Sequence, residues 1–207
     1  MSNNYAKIVR NNLKTLYKQP LTELAPALPG DRSGDCFVFE SFGAACEIRP
    51  DGIFLGKERQ DGVIGILISL YALHARLEPI VLEPFKAFKD FPNSMPYAGA
   101  FVTHTQQILV PYVESVIEAG EMIMEQFRGQ KASGGVGGDY SFVVYPLPKV
   151  ALCYIFYEPD DDFPASVTCL YSNNANTFLP LDGLADVGEY TSRKILNLIT
   201  NNSSFTS

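Results

Sequence analysis

The sequence predicts an α+β domain: an antiparallel or mixed sheet around a buried central helix, with further helices flanking it. Three observations carry this. Short runs rich in aromatic and β-branched residues alternate with stretches of helical period. Residues 61–75 are apolar on nearly every side, which suits a core helix better than a surface one. No linker rich in Gly, Ser or Pro divides the 207 residues, a length that suits one domain with an ample core. Residues 1–200 therefore read as a single domain and 201–207 as a polar, disordered tail.

Residues 3–18 form a first amphipathic helix, with Tyr5, Val9, Leu13 and Leu16 on one face and Arg10, Lys14 and Lys18 on another. Pro20, Pro26, Pro29 and Gly30 then argue against regular helix. A three-stranded meander follows over 36–42, 46–49 and 53–55, turned at Gly43-Ala44 and at Pro50-Asp51-Gly52. Asp61 is placed to cap the central helix. Residues 78–97 form a long connection in which Pro79, Pro84, Pro92 and Pro96 intersperse Phe85, Phe88 and Phe91. Leu109, Val113, Val116, Gly120, Ile123 and Phe127 keep helical spacing, with Pro111 at a kink or a first turn. Residues 140–145 and 150–157 are strands apolar enough to be buried on both faces, and 166–171 is a third. A last helix covers 184–199, with Asp182 serving its N-terminus.

Composition limits function. With 46% hydrophobic and 19% charged residues the chain is neither disordered nor collagen-like. Sixteen basic against 23 acidic residues give −7, the wrong balance for a broad nucleic-acid footprint. The charge is uneven: residues 1–20 hold Lys7, Arg10, Lys14 and Lys18 with no acid, leaving −11 on the remainder. The longest apolar run, 63–73, is far short of the roughly 20 residues needed to span a bilayer, so no membrane span is expected. The N-terminus has no signal-peptide pattern, which points to the cytoplasm. Cys36, Cys46, Cys153 and Cys169 are spread singly, so free thiols are expected rather than zinc ligands.

The candidate chemistry is sparse. Ser133 to Gly138 resembles a phosphate-cradling loop, but it follows a helix and precedes a strand, the reverse of that motif, and it lacks the lysine. A helix stop is the plain reading, and an anion nest at Gly137 and Gly138 the functional one. His74 and His104 have no second ligand at helical spacing. The cysteines sit in apolar strand context, where packing is the default. Phe85, Phe88, Phe91, Tyr97 and Phe101 either fill core gaps or line an apolar pocket. A hairpin centred on Asp161 puts Cys153 opposite Cys169, still as free thiols. A two-residue loop at Pro148-Lys149 puts Asp139 opposite Glu158. That hairpin gathers Asp139, Glu158, Asp160, Asp161 and Asp162 at one end of the sheet, a set of oxygen ligands that suits Mg²⁺ or Ca²⁺. A solvated acidic turn is the ordinary alternative.

Several short landmarks occur in a telling order: Phe42-Gly43, Pro50-Asp51-Gly52, Gly137-Gly138-Asp139, Pro146-Leu147-Pro148, Asp161-Asp162-Phe163-Pro164 and Phe178-Leu179-Pro180. Across most of its length the chain resembles the prokaryotic family known as domain of unknown function 3786. It departs from that pattern at Ser172, where the family has an acid. The resemblance implies a prokaryotic cytoplasmic domain and supplies no activity or catalytic residues. The expected function is a non-enzymatic binding or accessory domain for a small molecule or a protein. The alternative is a divalent-metal enzyme or carrier built on the acidic cluster.

Overall fold

The computed structural model describes residues 2–203, and within them two antiparallel sheets and seven α-helices share one core. Helix α1 (Ser2–Leu16) buries Val9, Leu13 and Leu16 and leaves Lys7, Arg10 and Lys14 in solvent. Against expectation the proline-rich stretch holds a helix, α2 (Leu21–Ala27), with Pro20 at its N-cap and Pro26 one residue from its end. Proline at the N-cap removes no helical hydrogen bond, and Pro26, in the last turn of this short helix, removes the one its N–H would have given the Thr22 carbonyl.

The first sheet runs in sequence order: β1 (Asp31–Ser33), β2 (Cys36–Ser41), β3 (Ala44–Arg49), β4 (Gly52–Leu55) and β5 (Glu58–Arg59). Its meander has the two-residue turn at Phe42-Gly43, both with positive φ (48° and 71°), as a twist-matched hairpin requires. Phe37, Phe39, Cys46, Ile48 and Ile53 face the core. Helix α3 (Val63–Leu73) is the predicted central helix, and Leu67, Ile68 and Tyr71 on it are at most 1% exposed. Two details differ. Asp61 does not cap it; Gly62 is the N-cap, and the Asp61 carboxylate is held by Arg59 at 3.1 Å. The helix packs mainly on α1, which donates Asn12 Nδ2 to Ser69 Oγ (2.9 Å), and touches the first sheet through the Phe39–Tyr71 edge contact.

The chain then crosses to the second sheet through β6 (Lys86–Ala87), a 3₁₀ turn (Phe88–Asp90), helix α4 (Met95–Phe101) and a π-turn (Val102–Gln106). The single helix expected through Phe127 is broken into a 3₁₀ segment (Gln107–Tyr112), α5 (Val113–Glu118) and α6 (Gly120–Gln126). Pro111 lies in the 3₁₀ segment, and the second break falls at Ala119-Gly120. Gly120 sits against the Tyr140 ring, where a Cβ would collide. Strands β7 (Gln130–Lys131), β8 (Tyr140–Leu147), β9 (Val150–Tyr157) and β10 (Ser166–Tyr171) complete the sheet in the order β6-β10-β9-β8-β7. Helix α7 (Leu181–Ser203) closes the fold. It takes in residues 201–203, which the sequence places in a disordered tail; 204–207 lie outside the described residues.

Both predicted strand registers shift by one residue. In β9–β10 the pairs are Cys153↔Leu170 and Tyr154↔Cys169, so the two thiols lie on opposite faces instead of opposite each other. In β8–β9 Leu147 faces Val150 as expected, but a bulge between Val144 and Leu147 changes the rest, giving Val144↔Leu152 and Tyr140↔Phe156. The bulge has a cause in Pro146, which has no N–H for the ladder; its carbonyl instead accepts from Phe42 N–H of the first sheet (2.7 Å).

Candidate functional site

Three places concentrate the residues singled out above. The first is the seam between the sheets. The Phe42–Pro146 hydrogen bond joins the β2–β3 turn to the β8 bulge, and Gln126 Nε2 donates to the Gly43 carbonyl. Beside this junction opens a cleft of about 410 Å³, walled by Val38, Phe39 and Ala45 of the first sheet and by Phe127, Tyr145 and Pro148. Glu40 and Arg128 pair across its rim at 2.9 Å. Arg128, Phe42 and Gly43 at this junction all have left-handed backbone (φ 51°, 48° and 71°). For Phe42 and Arg128 such a conformation costs energy and persists only where the surroundings impose it. Sequence reasoning missed this site because its walls come from segments about 100 residues apart; the only signal was the pair of landmarks Phe42-Gly43 and Pro146-Leu147-Pro148, which meet here.

The second place is the open end of the β8–β9 hairpin. Asp139 and Glu158 are neighbours, though the shifted register takes them out of the expected cross-strand pairing: Asp139 N–H donates to the Phe156 carbonyl (2.9 Å), and Asp139 Oδ2 accepts from Glu158 N–H (2.8 Å). Asp160 Oδ1 accepts from the N–H groups of Asp162 and Phe163 (2.9 and 2.7 Å), folding the acidic run on itself. A cleft of about 440 Å³ is lined by Asp139, Glu158 and Asp160 together with Tyr157, Phe163 and Pro164. Asp161 and Asp162 are exposed and do not line it. Among the described residues no three His, Cys, Asp or Glu side chains converge as a metal site. Gly137 and Gly138 beside it have φ of 87° and 78° and form the turn into β8. The carboxylates of Asp139 and Glu158 next to them oppose an anion.

The third is the aromatic segment. Phe88, Phe91 and Phe101 are at most 3% exposed and cluster on Tyr171, Phe88 stacking on Phe101 at 4.6 Å between centroids. These rings fill the core. Phe88 also lines a side groove with Ala98, Val102 and Thr168, and Tyr97 lines another between α4 and α7 with His104, Asp182 and Asp186. Burial, then Glu189 and Asp182, push the Asp186 carboxyl above its usual range.

The family described as Domain of unknown function (DUF3786) matches residues 20–194. The chain belongs to that family. Comparisons with curated proteins and with solved structures each found no match. The match takes in both sheets and most of α7 of the DUF3786 domain and leaves α1 outside it. Ser172 is fully buried: it donates N–H to the Ala151 carbonyl (2.9 Å) and accepts from Ala151 N–H on Oγ (3.2 Å). A carboxylate in its place would be desolvated. Three of the four thiols, Cys46, Cys153 and Cys169, are buried, and Cys36 is half-buried. Burial raises the thiol pKa of Cys46 and Cys169 well above the usual value, and burial with a smaller effect of Glu83 pushes Cys153 up to about 12. His74 Nδ1 is 2.8 Å from the Leu70 carbonyl, within its own helix turn. Among the described residues no helix is long and apolar enough to cross a membrane.

Proposed function

We propose that this DUF3786 member is a binding domain that takes an apolar small molecule in the cleft at the seam of its two sheets. The observation that supports this reading is the cleft of about 410 Å³ walled by apolar residues of both sheets and rimmed by the Glu40–Arg128 pair. Apolar walls with a few polar groups at the rim are the usual make-up of ligand pockets. Val38, Phe39, Ala45, Phe127 and Pro148 supply the walls, and the Glu40–Arg128 pair and Gln126 supply the polar rim. A cytoplasmic setting and an accessory role fit this reading.

The test uses an amphipathic fluorescent dye such as anilinonaphthalene sulfonate as the probe, titrated against the wild type and Ala45→Trp. Ala45 is exposed on the cleft wall, so a larger ring can fill the cleft without entering the core. One saturable site is expected in the wild type, weakened about tenfold or more in the variant, the equivalent of about 1.4 kcal/mol. Equal affinity in both proteins, or no saturable binding in the wild type, overturns the reading.

A further inference from the structure

The second sheet has a face outside the main core. Val143, Ala151, Cys153 and Ile155 form a small apolar cluster there, each at most 4% exposed. An apolar sheet face is ordinarily covered by a helix or a second sheet. Here two loops cover it. Ile80, Leu82 and Phe85 come from one side, Ala132 and Val136 from the other.

The two covers are held very differently. The strand-like strap around Ile80 is bound to the end of β10: Asn173 N–H donates to the Val81 carbonyl (2.7 Å) and Asn173 Nδ2 to the Pro84 carbonyl (2.7 Å). Asn174 Oδ1 accepts from Val81 N–H (2.8 Å), and its Nδ2 donates to the Pro79 carbonyl (3.0 Å). The glycine-rich segment 132–138 is tied at its ends by Ala132 N–H to the Ser141 carbonyl (3.1 Å) and by the turn at Gly137-Gly138. Between them, among the described residues, its one side-chain tie is Ser133 Oγ donating to Glu83 Oε1 on the strap (2.7 Å). Gly134 and Gly135 have open space beside them: a Cβ on either would meet no atom within 4 Å.

We propose that residues 132–138 are a flap that opens over this apolar face, with the Ser133–Glu83 hydrogen bond as its latch. Apart from Ala132 and Val136 the flap has no apolar side chain, and its latch is an exposed hydrogen bond, features of a segment that opens below the cost of global unfolding. Its far end runs into Asp139, whose carboxylate holds the Glu158 N–H at the wall of the acidic cleft. Opening therefore uncovers Val143, Cys153 and Ile155 and also loosens that cleft.

The cysteines supply the measurement. Cys153 belongs to the cluster that flap and strap cover together, with Glu83 of the latch as the charged group beside it, whereas Cys46 and Cys169 lie in the main core and report global unfolding. Iodoacetamide labelling, resolved site by site by peptide mass spectrometry, follows all of them in one native sample. Cys153 is expected to react faster than Cys46 and Cys169. Ser133→Ala, which leaves the Glu83 charge beside Cys153 in place, is expected to speed Cys153 about fivefold, a net hydrogen bond's worth of opening, with Cys46 and Cys169 unchanged. Gly134→Ala/Gly135→Ala stiffens the flap where there is room for both methyls and is expected to slow Cys153. Labelling of Cys153 in step with Cys46 and Cys169 in every protein would show that the flap opens only on global unfolding, and would overturn the proposal. So would acceleration of all three thiols together by Ser133→Ala.

Discussion

Single residues show how narrowly polar groups are tolerated in this core. Tyr154 is fully buried, and its hydroxyl meets Ser192 Oγ of α7 at 2.8 Å, joining the second sheet to the last helix. Tyr154→Phe leaves Ser192 without that partner and is expected to cost about 1 kcal/mol, read as a lower urea midpoint at unchanged slope. Asp186 is the opposite case, a carboxylate the fold disfavours. Its pKa is raised by burial, Glu189 and Asp182, and His104 lines the same groove. A raised folded-state pKa means that the folded protein holds the proton longer. Its stabilising contribution is present below the unfolded carboxylate pKa and is lost as pH rises through the folded value. Asp186→Asn is therefore expected to be more stable than wild type at pH 7, with the difference shrinking as the pH falls through the carboxylate range. Thermal melts of both proteins from pH 3 to 8 check this; a variant less stable at pH 7 would contradict it.

At the scale of the element, the β8–β9–β10 unit decides most of what the sequence left open. A one-residue slip sends each side chain to the other face, so Cys153 ends under flap and strap and Cys169 in the main core. Four free thiols are expected after denaturation without reductant, even following mild oxidation of the native protein, because thiols on opposite faces of a sheet cannot meet. Two titratable thiols would mean that the register is wrong. Gly129 shows how closely the flanking helix end approaches the same unit: a Cβ there would run into the Val143 carbonyl. Gly129→Ala is expected to destabilise by about 1 to 3 kcal/mol in chemical denaturation, the range of an overpacked site.

For the molecule as a whole, one core links both sheets to the helices. Leu67 on α3 is 1% exposed within it, and Leu67→Ala is expected to cost about 2 to 5 kcal/mol by urea denaturation. A loss below about 0.5 kcal/mol would place the helix at the surface. Helix α1 lies outside the stretch matched by the family, yet Val9, Leu13 and Leu16 are core residues and Tyr17 Oη lies 2.9 Å from the Ile48 carbonyl. It belongs to the folding unit of this protein, with its cationic face left in solvent.

The amino-acid sequence by itself determined the class of fold, the central helix, the meander and the three late strands. Each follows from local chemistry: periodicity, turn residues and apolar runs act over fewer than about 20 residues. It put Asp139 and Glu158 at the same end of the hairpin, although the bulge moved them out of the expected cross-strand pairing. Only the tertiary structure decided the rest. The cleft between the two sheets opens beside the place where Phe42 N–H meets the Pro146 carbonyl across the fold. The bulge that turned the strand faces arises at that same contact, because a proline without a ladder donor found its partner in another sheet. The aromatic segment packed as core once Tyr171 was beside it. Such outcomes are set by which distant surfaces come together, and short-range patterns carry no information about that.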